Sequence, residues 1–172
     1  MLRRLSIFTL LLGTGILLSC QNPFAPAKAG DDLKGSLLLT AQGTPDEVLQ
    51  NFQYAYTFKD SLVYSEILDS TFIFIGQNFN VSPAEPIVWG RDQELKTTGK
   101  MFRFFSTLDV TWNTRPLKDP LPDATQFLAS RINFTLILDG GSSIPALDGN
   151  VTFTFVKRDG RWFISRWEDE TL

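Results

Sequence analysis

Residues 44–76 read TPDEVLQNFQYAYTFKDSLVYSEILDSTFIFIG, and the fold class rests on how this stretch divides. Thr44-Pro45-Asp46-Glu47 is a helix start: a threonine that can accept from a first-turn N–H, a proline where no donor is needed, and two acids at the positive helix end. Glu47, three residues after the cap, can bond back to it. Val48, Leu49, Phe52, Ala55 and Tyr56 then recur at spacings of three and four, which predicts one buried stripe. Lys59-Asp60-Ser61 interrupts the period, and Asp60 or Ser61 can cap a second helix running to about Leu68. Asp69-Ser70 ends it, and Thr71 to Ile75, β-branched and aromatic, predicts a strand closed by Gly76.

Downstream, residues 77–90 carry Pro83 and Pro86 without a period and read as a long loop, with Trp89 anchoring its end. Arg91 to Phe105 reads as a third helix. Leu95, Thr98, Met101, Phe102 and Phe105 form its apolar face, with Arg91, Asp92, Glu94, Lys96 and Lys100 solvated. After it the period changes to two. Strands are predicted at Leu108–Asn113, Ala124–Leu138, Gly149–Lys157 and Arg161–Glu168, separated by a proline-rich turn at Arg115–Pro122, by Asp139-Gly140-Gly141 and by Arg158-Asp159-Gly160. Three helices followed by strands in meander order, with Thr71–Ile75 as an edge strand, predict an α+β domain: a curved antiparallel sheet packed on three N-terminal helices.

Alternation assigns faces only in part. It groups Arg131, Asn133 and Thr135 against Ser130, Ile132, Phe134 and Leu136 in the long strand. In the last strand it groups Trp162, Ile164, Arg166 and Glu168 against Phe163, Ser165 and Trp167. Each face of that strand then carries a tryptophan, so alternation does not say which face is inside.

The chain opens with Arg3 and Arg4, an apolar run from Leu5 to Leu18, and Leu17-Leu18-Ser19-Cys20. The run is short for a membrane span. The ending resembles the bacterial lipobox, which implies cleavage before Cys20 and lipid attachment to its thiol. Cys20 is the only cysteine, so no intramolecular disulfide and no multi-cysteine metal site can form. Gln21 at the next position fits sorting to an outer membrane. The expected organisation is a lipoprotein signal peptide at 1–19, a lipidated cysteine and tether at 20–43, and one domain at 44–172. Leu37-Leu38-Leu39 at the tether's end could pack on the domain's surface or remain part of the linker.

Removing residues 1–19 leaves 14 basic and 19 acidic side chains, a formal charge of −5. With no Lys/Arg cluster, that balance argues against a nucleic-acid partner. The chain has no histidine, so it lacks the usual neutral-pH acid–base group and the commonest metal ligand. No metal and no cofactor is expected.

Four pieces taken together resemble the nuclear transport factor 2-like (SnoaL-like) superfamily: F-x-x-A-Y-x-x-x-D at Phe52–Asp60, Y-x-x-I-L-D-S-x-F-x-F at Tyr64–Phe74, W-G-R-D-Q-E-L-x-x-T at Trp89–Thr98, and D-G-R-W-x-I-x-R-W-E-D at Asp159–Asp169. Their order and spacing carry the resemblance, which runs from Thr44 to the end and is nearest to bacterial lipoproteins within that superfamily. It implies a cone with an apolar pocket and homodimers through the outer face of the sheet. The ketosteroid isomerase branch uses a tyrosine on the first helix and an aspartate base after the first strand. Those positions fall at Phe52 and near Ile75 here, and neither residue can do the chemistry.

Two functions stay open on these residues. One is a lipid-anchored module that binds a small apolar ligand or a protein without catalysis, with Tyr54, Tyr56, Trp112 and Arg131 as candidate pocket residues and no catalytic residue. The other is an isomerase-, dehydratase- or hydrolase-type enzyme using tyrosine and carboxylate groups, for which Tyr54, Tyr56 and Asp69 are the candidates. Tyr54, Tyr56 and Tyr64 each fit core packing as well as a pocket donor.

Overall fold

The computed structural model describes residues 38–78, 81–114, 124–141 and 143–170, with only the backbone for 128–131. Cys20, the tether to residue 37 and the proline-rich turn lie outside the described residues. The elements are α1 (Pro45–Phe58), α2 (Ser61–Ile67), β1 (Leu68–Asn78), β2 (Glu85–Gly90), α3 (Arg91–Phe104), β3 (Leu108–Trp112), β4 (Gln126–Leu138), a 3-10 turn (Asp139–Gly141), β5 (Leu147–Arg158) and β6 (Arg161–Asp169).

Local chemistry sets the helix ends. The Thr44 hydroxyl accepts from the Glu47 N–H at 3.2 Å, and the Glu47 carboxylate reaches past the cap to accept from the Gly43 N–H at 2.8 Å. Asp60 caps α2 by accepting from the N–H groups of Leu62 and Val63. Lys59 closes α1 in the left-handed conformation, and its ammonium donates to the carbonyls of Phe105 and Ser106 beyond α3.

One six-stranded sheet runs in the order β2-β1-β6-β5-β4-β3. Two expectations change here. The sheet is mixed, because β1 lies parallel to β6 while every other pairing is antiparallel. The predicted loop at 77–90 contains the end of β1 and the whole of β2, so the sheet's edge is β2 and not β1. An edge strand presents little buried pattern and tolerates Pro86, which explains why it reads as loop.

The face problem in β6 is resolved by a bulge. Phe155 pairs with Ile164 but Thr154 pairs with Arg166, so β6 carries one extra residue there. One added residue reverses the parity of everything after it. Trp162, Ile164 and Trp167 therefore all turn to the helix side, with Arg166 outside. A second bulge shifts β4 between Ala129 and Ile132 against β5. Bulges bend the strands that carry them, and here both lie against β5, where the sheet wraps the helices.

The core is the stripe of α1 laid on the concave face. Val48, Leu49, Phe52 and Ala55 are at most 1% exposed, as are Ile132, Val151, Phe153, Phe155 and Ile164 opposite them. Each large aliphatic or aromatic side chain buried there contributes about 1.5–3 kcal/mol.

The packed unit begins earlier than Thr44. Thr40 exchanges bonds with the buried Asn51 side chain. The Gln42 amide, 1% exposed, donates to the carbonyls of Trp162 and Glu66, while its backbone carbonyl accepts from the Trp162 N–H. Leu38 and Leu39 remain exposed.

Candidate functional site

Between α1 and the far half of the sheet lies a recess of about 370 Å³. Five aromatic side chains line it: Phe52 and Tyr56 from α1, Trp112 from β3, Phe134 from β4 and Trp167 from β6. Val110, Leu136 and Val151 add aliphatic wall, and Leu147, half exposed, stands at its mouth. The rings brace one another. Phe52 meets Trp112 and Trp167 nearly edge-on at 5.3 and 5.6 Å between centroids, and Trp112 meets Phe134 at 6.3 Å. The Trp112 indole N–H donates to the Leu49 carbonyl at 3.2 Å, which fixes that ring.

The charged lining is acidic. Asp169 sits at the end of β6 opposite Val151, and Asp148 lies three residues before Val151 on β5, with its side chain on the other face of the sheet. Asp148 accepts from the Thr135 hydroxyl at 2.5 Å, the last link of an outward-facing chain through Asn113 and Asn133. No lysine or arginine is among the described residues that line the recess.

The candidates named from sequence are therefore dispersed. Tyr56 and Trp112 face the recess. Tyr54 lies elsewhere on α1, half-buried and against Phe58 with ring centroids 4.6 Å apart. The Arg131 side chain lies outside the described residues. Asp69 is buried away from the recess, accepting from the Thr71 hydroxyl and N–H and pairing with Arg158 at 3.2 Å. Burial opposes its charge, but the Thr71 and Arg158 donors outweigh that and hold its carboxyl below the usual aspartate value.

Behind the recess wall is a polar knot that a solvated reading of α3 misses. Glu94 is 4% exposed and accepts three bonds: from the Tyr64 hydroxyl at 2.7 Å, the Thr98 hydroxyl at 2.8 Å and the Trp89 indole N–H at 2.7 Å. Arg91, also read as solvated, is half-buried and donates to the Ser65 and Leu68 carbonyls. The available signal was spacing. Glu94 is one turn before Thr98 and two before Phe102, on the buried side of α3.

Burial first, then the Glu94 charge, pushes the Tyr56 hydroxyl far above its ordinary value. Burial, with Tyr56 and Glu94 adding to it, does the same for Tyr64. Both phenols stay protonated at neutral pH, so they can donate a hydrogen bond but cannot serve as bases. Glu94 itself is outside the recess lining and already takes three donors, which makes it a structural acceptor.

Compared with solved structures, the chain is similar to a nuclear transport factor 2-like superfamily protein from Salmonella enterica serovar Typhimurium. The two share 16% identity over 73% of this chain and 86% of that one, with a TM-score of 0.54. It is also similar to a scytalone dehydratase-like protein from Novosphingobium aromaticivorans, at 19% identity over 74% and 80%, with a TM-score of 0.58. The fold is nuclear transport factor 2-like. Bd1075 of Bdellovibrio bacteriovorus shares that fold at 12% identity and a TM-score of 0.56, with 74% of this chain spanning 39% of that protein. No protein-family model and no curated protein matches the chain. At these identities the nuclear transport factor 2-like likeness fixes architecture and leaves activity to the site.

Proposed function

We propose that this chain is a lipid-anchored cell-envelope protein whose nuclear transport factor 2-like domain binds a small apolar molecule without transforming it. The observation that carries the reading is the aromatic recess. Its volume lies within the range of ligand pockets, about 300–1,000 Å³, and its wall is mostly apolar. Its described lining holds no serine, cysteine, lysine or histidine to act as nucleophile or neutral-pH base. The anchor rests on Cys20 and the apolar run before it. Gln21 favours an outer membrane, facing the periplasm.

Native mass spectrometry of the purified chain tests the binding role. A co-purified small molecule that is lost in Phe134→Ala supports it, and an empty chain that also takes up no apolar probe rejects it. Fatty-acid labelling tests the anchor. Label that persists in Cys20→Ala rejects it.

A homodimer through the outer sheet face belongs to the same proposal. Ile73 and Val88 are exposed on that face, 41% and 60%, beside the Arg166–Glu168 pair. Sedimentation at micromolar concentration reads this directly, and a monomer that Ile73→Glu leaves unchanged removes it.

The second reading, an enzyme, is favoured by one observation: Tyr56 and Asp169 line the same recess. Turnover of an apolar carbonyl compound that Asp169→Asn abolishes would make that reading the better one.

A further inference from the structure

We infer that the outward face of the three helices docks on a lipid surface, with Phe58, Leu62 and Phe104 entering the headgroup region. This rests on the lipid anchor proposed above and adds an orientation to it.

Each helix turns one large apolar side chain away from the core. Phe58 is 58% exposed at the end of α1, Leu62 78% in the first turn of α2, and Phe104 80% at the end of α3. The buried stripe of each helix is complete without them, so they are not stray members of the core. Two contacts bring them to one region. The Lys59 ammonium, next to Phe58, donates to the carbonyls of Phe105 and Ser106, next to Phe104. A Cβ added at Gly99 would stand 4.0 Å from the Ser61 hydroxyl, which sets Leu62 beside the last turns of α3. An exposed apolar patch of this kind marks a protein or a membrane contact.

The entry of the chain favours the membrane. The Gln50 amide donates to the Leu38 carbonyl at 3.0 Å. Gln50, Tyr54 and Phe58 follow one another at spacings of four on the outward side of α1, so the described chain begins on the face that carries the patch. Leu38 and Leu39 are themselves exposed there. Seventeen residues separate Cys20 from Leu38, and fully extended they span at most about 60 Å. A bilayer that holds Cys20 is therefore always within reach of this face, whereas a separate protein has to arrive by diffusion. No helix among the described residues is long and apolar enough to cross a membrane, so the contact is made at the surface.

Charge does not oppose it. Lys100 and Arg103 are exposed on α3 beside Phe104, and the neutral carbonyl partners of Lys59 leave its charge in place. Of the acids nearby, Asp60 accepts from the N–H groups of Leu62 and Val63, and Asp139 from those of Ser106 and Thr107. Glu66 is exposed one turn beyond Leu62. Three cations face three acids, so apolar insertion carries the contact and the long basic side chains reach the headgroups around it.

Once Cys20 is acylated, Leu62→Cys, Phe104→Cys and Asp148→Cys each carry a single free thiol, the last on the other side of the sheet as reference. A polarity-sensitive fluorophore is attached to each, and the full chain is reconstituted in phosphatidylcholine–phosphatidylglycerol vesicles with plain or brominated acyl chains. Bromine quenches a fluorophore that reaches the acyl boundary. At an insertion of about 5–10 Å, emission at positions 62 and 104 is expected to fall about twofold in brominated vesicles, with emission at 148 unchanged. Phe104→Glu should restore about half of the emission lost at position 62, with the melting temperature unchanged because the residue is exposed.

If positions 62 and 104 stay in water, the docking face is wrong and the anchor stands. If position 148 is quenched as strongly, the contact is not confined to this face and the inference falls. If positions 62 and 104 are shielded from water without being quenched, a protein covers the patch and the inference falls. If the unsubstituted chain takes up the fluorophore at Cys20, the anchor reading falls by itself. Flotation of that chain with excess vesicles, abolished by Phe104→Glu, then keeps the docking face, and any other flotation result ends it.

Discussion

The recess and the Glu94 knot stand on either side of the Tyr56 ring and share its chemistry, yet they differ in what they leave unfinished. At the knot, one carboxylate takes three donors, and Phe74 stacks on Trp89 at 4.1 Å so that the surroundings are filled. At the recess, rings surround a volume that no described side chain fills. A buried polar group with all its partners contributes to uniqueness and stability. Apolar surface held open by rigid neighbours contributes nothing to stability and is kept at its expense. The buried carboxylate beside a tyrosine, which alone would point to catalysis, is here the structural half of the pair.

The largest effect expected is at the knot. Glu94→Ala leaves the Tyr64, Thr98 and Trp89 donors without their acceptor. At about 1–3 kcal/mol for each buried group, added less than fully, the loss should be about 3–5 kcal/mol in urea unfolding. A loss below about 1 kcal/mol would break the distinction drawn here.

Next is Gln42→Ala, which removes the amide joining the segment before α1, residues 40–43, to β6 and α2. It is expected to lose about 1–3 kcal/mol by the same measurement, with proteolysis advancing from residues 40–43.

Asp69 sharpens the comparison through pH. Its folded carboxyl lies below the unfolded value, so its contribution is full above about pH 4 and is lost as pH falls through the folded value. Wild type should therefore lose stability more steeply than Asp69→Asn below about pH 4, with the variant about 1–2 kcal/mol weaker at pH 7. Parallel curves would remove the role given to Arg158 and Thr71.

The smallest effect belongs to the outer face of the sheet. Asp148→Asn should change unfolding free energy by no more than about 0.5 kcal/mol, because the residue is exposed and the Thr135 hydroxyl bonded to it can turn to water.

Much of this architecture is legible in the sequence, and the reasons differ by element. α1 declares itself because cap, proline and stripe agree over 14 residues. The hairpin at Asp159-Gly160 is legible because both residues have positive φ, 49° and 83°, the conformation an Asp-Gly turn supplies. β2 is illegible because an edge strand with both faces largely exposed has no buried period. The parity of β6 is illegible because a single inserted residue leaves no trace in composition and yet turns Trp167 inward. At the site, Tyr56 and Trp112 are visible as aromatics in periodic elements. Asp169 is not visible, because an acid at a strand end looks solvated until the bulge in β6 turns it to the side of Val151. Glu94 hides for the opposite reason: a glutamate on a helix is ordinarily outside, and its three donors come from three separate segments.

The parallel join of β1 to β6 has a consequence for the order in which this molecule can come into being. Phe74 lies against Trp167, and Gln42 against Trp162, a separation of 120 residues in the second case. An N-terminal fragment that stops short of β6 lacks a closed hydrophobic interior, since the first strand's inner neighbour is the last of the described strands. Such long-range closure makes folding slow relative to a helical domain of this size. A ribosome-bound chain of this protein is coreless until β6 has emerged, and a stop codon at or before Trp162 should yield a product for the quality-control proteases and not a shortened binder.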